Sequence, residues 1–376
     1  MIHFISDAHL GKNLREADAE FQQDSFKAFE RAIDKAVERQ VTAVIFAGDT
    51  TDKAHTTGAV IEVLRQGIDK LTDAGIDAYF IQGNHDRQVK WHKRRVPILQ
   101  ALGCIHIDGK TVEVDGLKIH GMDYVAGRAV RKALESVPEC DILVMHQAFH
   151  HLLRFKDDVR IEDIPKHVGN VVVGDIHIHD IRQGLPSGGF ICSPGPLHPC
   201  DQGQAPHAGK LLIGVPMEGS VIFREDPIGT RLIHRVSITP DMGPDTELFR
   251  KVAMETAQMY TVYRSVEKAN GWKLPKPVLS LRVSQGMDEA AASFVKNFAD
   301  MFIIWTEPAP SKNMDMFDDE GAEIASVEVM SMQEAVPHVA DPEAEDEIEL
   351  TLALLDTDNI TQTIAGWVDS RMNGDD

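Results

Sequence analysis

The sequence predicts an α/β protein in which a helix-covered sheet is followed by a small α+β unit, an acidic linker and a helical tail. Three observations carry this. Short apolar strands alternate with amphipathic helices from the first residue, several strands end in a polar side chain, and after residue 235 the pattern changes to helix, strand, helix, strand.

The elements follow in order. "MIHFIS" reads as a strand, and "FQQDSFKAFERAIDKAVERQ" brings Phe26, Phe29, Ile33 and Val37 to one helical face. "VTAVIFAGD" is the next strand, a helix through Leu64 and Leu71 follows, and "IDAYFIQGNHD" is a third strand. Beyond it "KTVEVDGLKIHGMDY", "CDILVMHQ", "NVVVGDIHIHD", "GGFICSPGP", "GKLLIGVPM", "SVIFRED" and "TRLIHRVSI" read as strands with few helices between them, a meander-like second half that closes the first domain at 235. "ELFRKVAMETAQMYTVYRSVEKA", "PVLSLRVS", "MDEAAASFVKNFADM" and "FIIWTE" make the α+β unit over 236–310. An acidic, Pro-bearing linker takes 311–340, and 341–376 holds two short amphipathic helices. Ile348, Leu352 and Leu355 share one face of the first, and Ile360, Ile364, Trp367 and Val368 one face of the second. Such stripes need a surface, either on their own domain or in a partner's groove.

Composition narrows the class. The chain has 376 residues, 43% hydrophobic and 26% charged, which suits a folded protein with a sizeable core. No stretch approaches about 18 consecutive apolar residues, so no membrane span is expected and the reading is cytoplasmic. Cys104, Cys140, Cys192 and Cys200 form no C-x-x-C pair, which argues against a thiolate zinc site and a disulfide framework. Of the net charge of −21, residues 311–376 account for −16, with 18 Asp or Glu against Lys312 and Arg371. The body is therefore close to neutral, and a polyanionic substrate is not excluded.

The chemistry sits at the strand ends. "ISDAHLG" supplies Asp7 and His9, "FAGDTTD" Asp49, "QGNHD" Asn84 and His85, "LVMHQ" His146, and "VVGDIHIH" Asp175, His177 and His179. Open α/β sheets place their sites at the C-terminal ends of strands. Carboxylate, imidazole and amide oxygen without thiolate suit Mn²⁺, Fe²⁺ or Zn²⁺ in a reactive site. One such strand end is an ordinary cap or turn; five in order are not.

D-x-H, G-D, G-N-H-D, a strand-end His and G-x-x-H together resemble the calcineurin-like metallophosphoesterase superfamily over about residues 1–180. "ICSPGPLHP", the strand pair after it and the α+β unit are similar to SbcD-type double-strand-break repair nucleases and their phage counterparts. The resemblance implies a four-layer α-β-β-α sandwich with a capping domain for DNA, and two divalent cations, Mn²⁺ with Mg²⁺ as the alternative. It implies that Asp7, His9, Asp49 and His177 hold one ion and that Asp49, Asn84, His146 and Asp175 hold the other, with Asp49 bridging. His85 would then be catalytic, donating to the leaving oxygen and held by Asp86 or another acceptor. The usual last motif is G-H-x-H, whereas here Gly174-Asp175-Ile176-His177 puts a carboxylate in the first imidazole's place. A frame using His177 and His179 as the H-x-H pair stays open.

The run Arg87, Lys90, Trp91, Lys93, Arg94 and Arg95 begins two residues after His85. Cations there suit the flanking phosphates of DNA and Trp91 suits base stacking, the alternative being a solvated helix face with Trp91 in the core. His55, His150 and His151 are further cleft candidates. The function expected is a metal-dependent DNA exonuclease or endonuclease acting in repair and recombination. The resemblance adds a homodimer and an SbcC-like coiled-coil ATPase, which the tail would meet through Leu352, Leu355, Ile360, Ile364 and Trp367. A small-molecule phosphoesterase and a silent partner-binding scaffold are the alternatives.

Overall fold

The structure is a computed structural model and describes residues 1–12, 14, 21, 23–87, 96–127, 129–150, 159–217 and 220–308. The chain divides after Thr230 into two compact units.

The first unit holds β1 (Ile2–Ile5), α1 (Asp24–Glu38), β2 (Ala43–Ala47), α2 (Gly58–Asp73), β3 (Asp77–Ile81), α3 (Ile98–Ala101), β4 (Ile105–His106), β5 (Thr111–Val114), β6 (Leu117–Met122), α4 (Ala129–Leu134), β7 (Cys140–His146), β8 (Val168–Gly174), β9 (Asp180–Gln183), β10 (Phe190–Ser193), β11 (Lys210–Met217) and β12 (Ser220–Pro227). One sheet runs β12-β11-β1-β2-β3-β4 and the other β5-β6-β7-β8-β10-β9. In the first, β1 to β4 are parallel, and the β11–β12 hairpin returns from the end of the unit to pair antiparallel with β1.

β2 shows why two sheets stack. All five of its residues are buried, as in a parallel strand covered on both faces. Val44 and Phe46 pack with Phe29 and Ile33 of α1 and Leu64 and Ile68 of α2. Ala43, Ile45 and Ala47 point the other way, into a core shared with Ile119, Ile142, Val144 and Val172 of the second sheet. The outer face of that sheet, including Leu143, Met145, Val171 and Val173, is covered by Val130 and Leu134 of α4 and by Ile164. The result is the expected α-β-β-α layering. Burying a side chain such as Phe29 or Phe46 contributes roughly 1.5–3 kcal/mol, so the layers are held by their apolar faces.

The meander-like reading of the second half is corrected. β6, β7, β8 and β10 run parallel, and only β5 and β9 are antiparallel edge strands. The crossovers escape notice because they are short, α4 spanning six residues and another being a single 3-10 turn, Ile161–Asp163.

The second unit holds β13 (Ile233–Ile238), α5 (Glu247–Ala269), β14 (Val278–Val283), α6 (Asp288–Phe298) and β15 (Ile303–Pro308) in a parallel sheet of order β13-β14-β15. β13 was expected to close the first domain at 235. Its six residues instead pair with β14, from Ile233 with Val278 to Ile238 with Val283, and Val236 and Ile238 join Phe249, Phe294 and Phe298 in this unit's core. The boundary therefore falls before this strand, because its apolar residues are buried by α5 and α6. The linker and the tail residues Leu352, Leu355, Ile360, Ile364 and Trp367 lie outside the described residues.

Candidate metal centre

The site forms where the strands of both sheets end. β1 delivers Asp7 and His9, β2 Asp49, β3 Asn84 and His85, β7 His146, and β8 Asp175 and His177. Among the described residues seven non-glycine positions have positive φ, and five of them are Asp7 (49°), His9 (39°), Asp49 (49°), Asp175 (76°) and His177 (55°). Left-handed backbone disfavours L-residues, and its concentration at one place marks a site where side-chain direction overrides local preference. The chain turns sharply as it leaves β1, β2 and β8.

Three groups of potential ligand atoms result, with the atoms of each lying within 4.8 Å of one another: Asp7, His9 and His177; His9, Asp49 and His85; and Asp7, Asp49 and His146. His177 Nε2 stands 3.3 Å from Asp7 Oδ1, and His146 Nε2 3.3 Å from Asp49 Oδ2. Asp7, His9, Asp49 and His146 are buried. Asp7 Oδ2 is buried without a hydrogen-bond partner, a costly arrangement for a carboxylate oxygen unless a cation draws on it. The donor set is carboxylate and imidazole, which fits a divalent ion of the Mn²⁺, Fe²⁺ or Zn²⁺ kind.

The electrostatics agree with that fit. Burial opposes charge on His146, yet Asp49 and Asp7 beside it push its imidazole up to about 10. His177 is likewise raised, burial being outweighed by Asp7. Burial would raise both Asp7 and Asp49, but His177 holds the first and His146 the second below the usual carboxylate range. Burial brings His9 down to about 3, leaving a neutral ring able to ligate. Two buried carboxylates thus impose a demand for positive charge.

The contacts sort the remaining candidates. His146 Nδ1 donates to Ala47 O at 2.8 Å, so Nε2 is the atom that faces Asp49. His85 Nδ1 donates to Asp52 O at 2.7 Å, and its backbone N–H donates to Asp49 Oδ1 at 2.8 Å. Of the two expected holds on His85, Asp86 or another acceptor, the structure has the second, this carbonyl. Asp86 instead accepts from the backbone N–H groups of Thr50, Thr51 and Gly83 and from the Thr51 hydroxyl, lacing the β2 and β3 turns together. Asp175 donates its backbone N–H to Asp7 Oδ1 at 3.1 Å, and its carboxylate charge reaches His146 and His177, but its oxygens are outside the three groups. Asn84 is exposed at the end of β3.

His179 is turned elsewhere, its Nδ1 donating to Pro194 O at 2.8 Å and its Nε2 facing Glu225 Oε2 at 3.2 Å. The frame pairing His177 with His179 is therefore not the one the geometry assembles. Arg87 is exposed and donates to Tyr124 O at 2.8 Å, while Lys90, Trp91, Lys93, Arg94 and Arg95 lie outside the described residues.

Sequence reasoning missed Asp52 and three glycines. Asp52 Oδ1 is 3.7 Å from His9 Nδ1 while its carbonyl holds His85, so one residue touches two site histidines. Its only signal was a second Asp in "GDTTD". A Cβ on Gly48 or Gly174 would collide with the His146 ring, and one on Gly83 with the Asp49 carboxylate. These motif glycines are the room the ligands occupy.

A family model described as calcineurin-like phosphoesterase matches residues 1–179, the span that supplies every member of the cluster. Over these residues the chain carries a calcineurin-like metallophosphoesterase domain. Beyond that domain match, the chain is similar to proteins named DNA double-strand break repair protein Mre11. The one from Sulfolobus acidocaldarius is 28% identical over 202 residues, 50% of this chain and 51% of that protein. The one from Methanosarcina mazei is 31% identical over 191 residues, 46% of this chain and 30% of that protein. The chain thus spans about half or less of the length of these relatives. A dimetal phosphatase from Danio rerio superposes with a TM-score of 0.39 at 11% identity, covering 61% of this chain and 96% of that one. No helix among the described residues is long and apolar enough to cross a membrane.

Proposed function

We propose that the chain is the nuclease subunit of an SbcCD-like DNA repair complex, hydrolysing phosphodiester bonds with two divalent cations, Mn²⁺ foremost. The observation that carries this reading is the convergence of Asp7, His9, Asp49, His146 and His177 from both sheets, with Asp7 and Asp49 each shared between ligand groups. Sharing of that kind suits a pair of ions. Asp7, His9 and His177 would hold one, and Asp49 and His146 the other, with Asn84 and Asp175 completing it and Asp49 bridging. Bound there, such ions clamp a phosphodiester, acidify a water and stabilise charge on the leaving oxygen.

The chain's own residues do the rest. With Nδ1–H committed to the Asp52 carbonyl, His85 presents Nε2 to the substrate and transfers or shares a proton at the leaving 3′-oxygen. Asp86 holds the β2 and β3 turns, and so Asp49 and His85, in fixed register. DNA as the substrate is supported by the repair proteins the chain resembles and by the basic run after His85. The second unit would be the DNA-capping domain, and the tail the contact for an SbcC-like ATPase in an assembly built on a homodimer.

The test is to incubate the full chain with end-labelled linear DNA and with bis-p-nitrophenyl phosphate in Mn²⁺, Mg²⁺ or EDTA. Mn²⁺-dependent DNA cleavage lost in Asp49→Asn and His85→Ala is the expected result. Turnover of the small ester with DNA untouched, both alone and with the ATPase, would sink the nuclease reading in favour of a small-molecule phosphoesterase.

A further inference from the structure

The loop that carries Asn84 and His85 is gripped by two residues outside the metal cluster. Gln82 follows β3 of the first sheet, and Asp123 follows β6 of the second. The Gln82 backbone N–H donates to Asp123 Oδ1 at 2.7 Å, and the Gln82 carbonyl accepts from the Tyr124 N–H at 2.8 Å. At the far end of the loop Arg87 Nη1 donates to Tyr124 O, also at 2.8 Å. Two consecutive residues at a strand end of the second sheet therefore hold both ends of the segment 82–87.

Asp123 is itself braced. His106 Nε2 donates to its two carboxylate oxygens, at 3.0 and 3.1 Å, and its own N–H donates to Asp108 Oδ1 at 3.0 Å. The His106 ring stacks on Phe80, centroids 4.6 Å and planes 14° apart, because β4 pairs with β3 in a register that sets the two residues side by side. The side chains of Asp123 and His106 are 14% and 21% exposed, and a hydrogen bond to a carboxylate so far withdrawn from water is a strong one. On the opposite side the Asp49 carboxylate and the Asp52 carbonyl fix His85 itself. A proton donor works only within reach of the leaving oxygen, and a misplacement of about 1 Å costs up to about 10²-fold in rate.

We infer that Asp123, braced by His106, is a positioning residue that places His85 for proton transfer to the leaving oxygen. The inference rests on the proposed phosphodiesterase reading. Asp123 acts through the Gln82 N–H and does not itself meet the reacting atoms. Without its carboxylate that N–H loses its acceptor, and the first end of the loop is free to shift while the Tyr124 links remain. The loss falls on substrates whose leaving oxygen needs a proton: p-nitrophenolate departs as a stable anion, whereas phenolate and the 3′-alkoxide of DNA depend on the acid.

The test is to measure kcat and KM of the full chain at saturating Mn²⁺ on bis-p-nitrophenyl phosphate, diphenyl phosphate and linear DNA, in Asp123→Ala, Asp123→Asn and His106→Phe. Expected in Asp123→Ala is a kcat about 10–100-fold lower on diphenyl phosphate and DNA, and within about threefold of the parent on the nitrophenyl ester. Asp123→Asn, which keeps an oxygen for Gln82, should recover most of the loss. His106→Phe, which keeps the stack on Phe80 without the donor, should show a smaller loss with the same selectivity. In a His85→Ala background Asp123→Ala should remove nothing further. Amide exchange of the 82–87 peptide should quicken in Asp123→Ala, in Mn²⁺ and in EDTA alike, while the β2 and β7 peptides stay protected. Should Asp123→Ala fail to fold, His106→Phe decides by the same two readouts. Equal losses on both esters, a further loss in the His85→Ala background, unaltered exchange of 82–87, or no ester turnover by the parent chain would each overturn the inference. If DNA is never cut but the split between the esters depends on Asp123, the nuclease reading fails and this one stands; DNA cleavage indifferent to Asp123 has the reverse meaning.

Discussion

His9 Nε2 and His177 Nε2 face each other at 3.0 Å, although the two residues are 168 positions apart and leave different sheets. Two ring nitrogens brought so close, with Asp7 Oδ1 3.3 Å from the second, share one space that a single cation can serve. Metal should therefore hold the two sheets together as well as support chemistry. Saturating Mn²⁺ at about a hundred times its dissociation constant should add roughly 2.7 kcal/mol of stability. Thermal unfolding with Mn²⁺ and with EDTA checks this, and the gain should shrink in His177→Ala.

His85 is held by its neighbours in a way that does not require metal. Its Nδ1 is taken by a backbone carbonyl, so His85→Ala should lower kcat by about 10²–10⁴ while Mn²⁺ affinity stays within a small factor. Paired kinetics and metal titrations separate this outcome from ligation by His85, in which both would fall together.

Gly83 is where the backbone of one strand end passes the ligand of another. Its missing Cβ would stand 2.5 Å from Asp49 N and collide with the Asp49 carboxylate. Gly83→Ala should cost about 1–3 kcal/mol through overpacking and also weaken Mn²⁺ binding. Gly58→Ala, at the start of α2 with nothing within 4 Å of the added methyl, should be neutral or slightly stabilising. Denaturant unfolding of the two variants compares them directly.

Acid should unfold the protein over a defined window. Burial, reinforced by Arg39 and Lys35, brings His3 down to about 3, and burial brings His198 and His234 down to about 4. In the unfolded chain these groups take a proton near 6.5, while in the folded chain they stay neutral. The folded state gains nothing from protonation, so their contribution is complete above about pH 6.5 and is lost as pH falls from there toward 4. The denaturation midpoint should drop as pH falls below 6.5, less steeply in His3→Gln, and should also decline as pH rises above 6.5, because the raised His146 and His177 hold protons in the folded chain that the unfolded chain has lost. An equal slope in that variant would remove His3 from the account.

A buried charge cluster offers a last check. Asp226, 0% exposed, receives Lys35 and, at 2.6 Å, Arg39. Removing the carboxylate leaves two cations inside the protein, and Asp226→Ala should cost about 3–5 kcal/mol. Replacing Lys35 with Met in the same chain should recover part of that loss, as measured by thermal unfolding.

The sequence by itself determined which residue types meet at the site. Strand ends in "SDAH", "GD", "GNHD", "MH" and "GDIH" are local signals, because an apolar run followed by a polar turn is readable without knowing the strand's neighbours. Apolar periodicity pointed to a helix-covered sheet, while the stacking of two sheets into α-β-β-α layers was expected only from the family resemblance. Tertiary structure decided what depends on partners. β13 looks like any other apolar strand, and only its pairing with β14 assigns it to the second unit. The sequence left His179 open as an alternative ligand beside His177, and only the folded chain shows His179 turned to Glu225 of the other sheet. Asp52 lies outside the strand-end pattern, and its hold on His85 is a backbone carbonyl that no residue identity announces. Apolar periodicity encodes which face of a strand is buried, while pairing, turn direction and backbone acceptors are set by contacts between segments far apart in the chain.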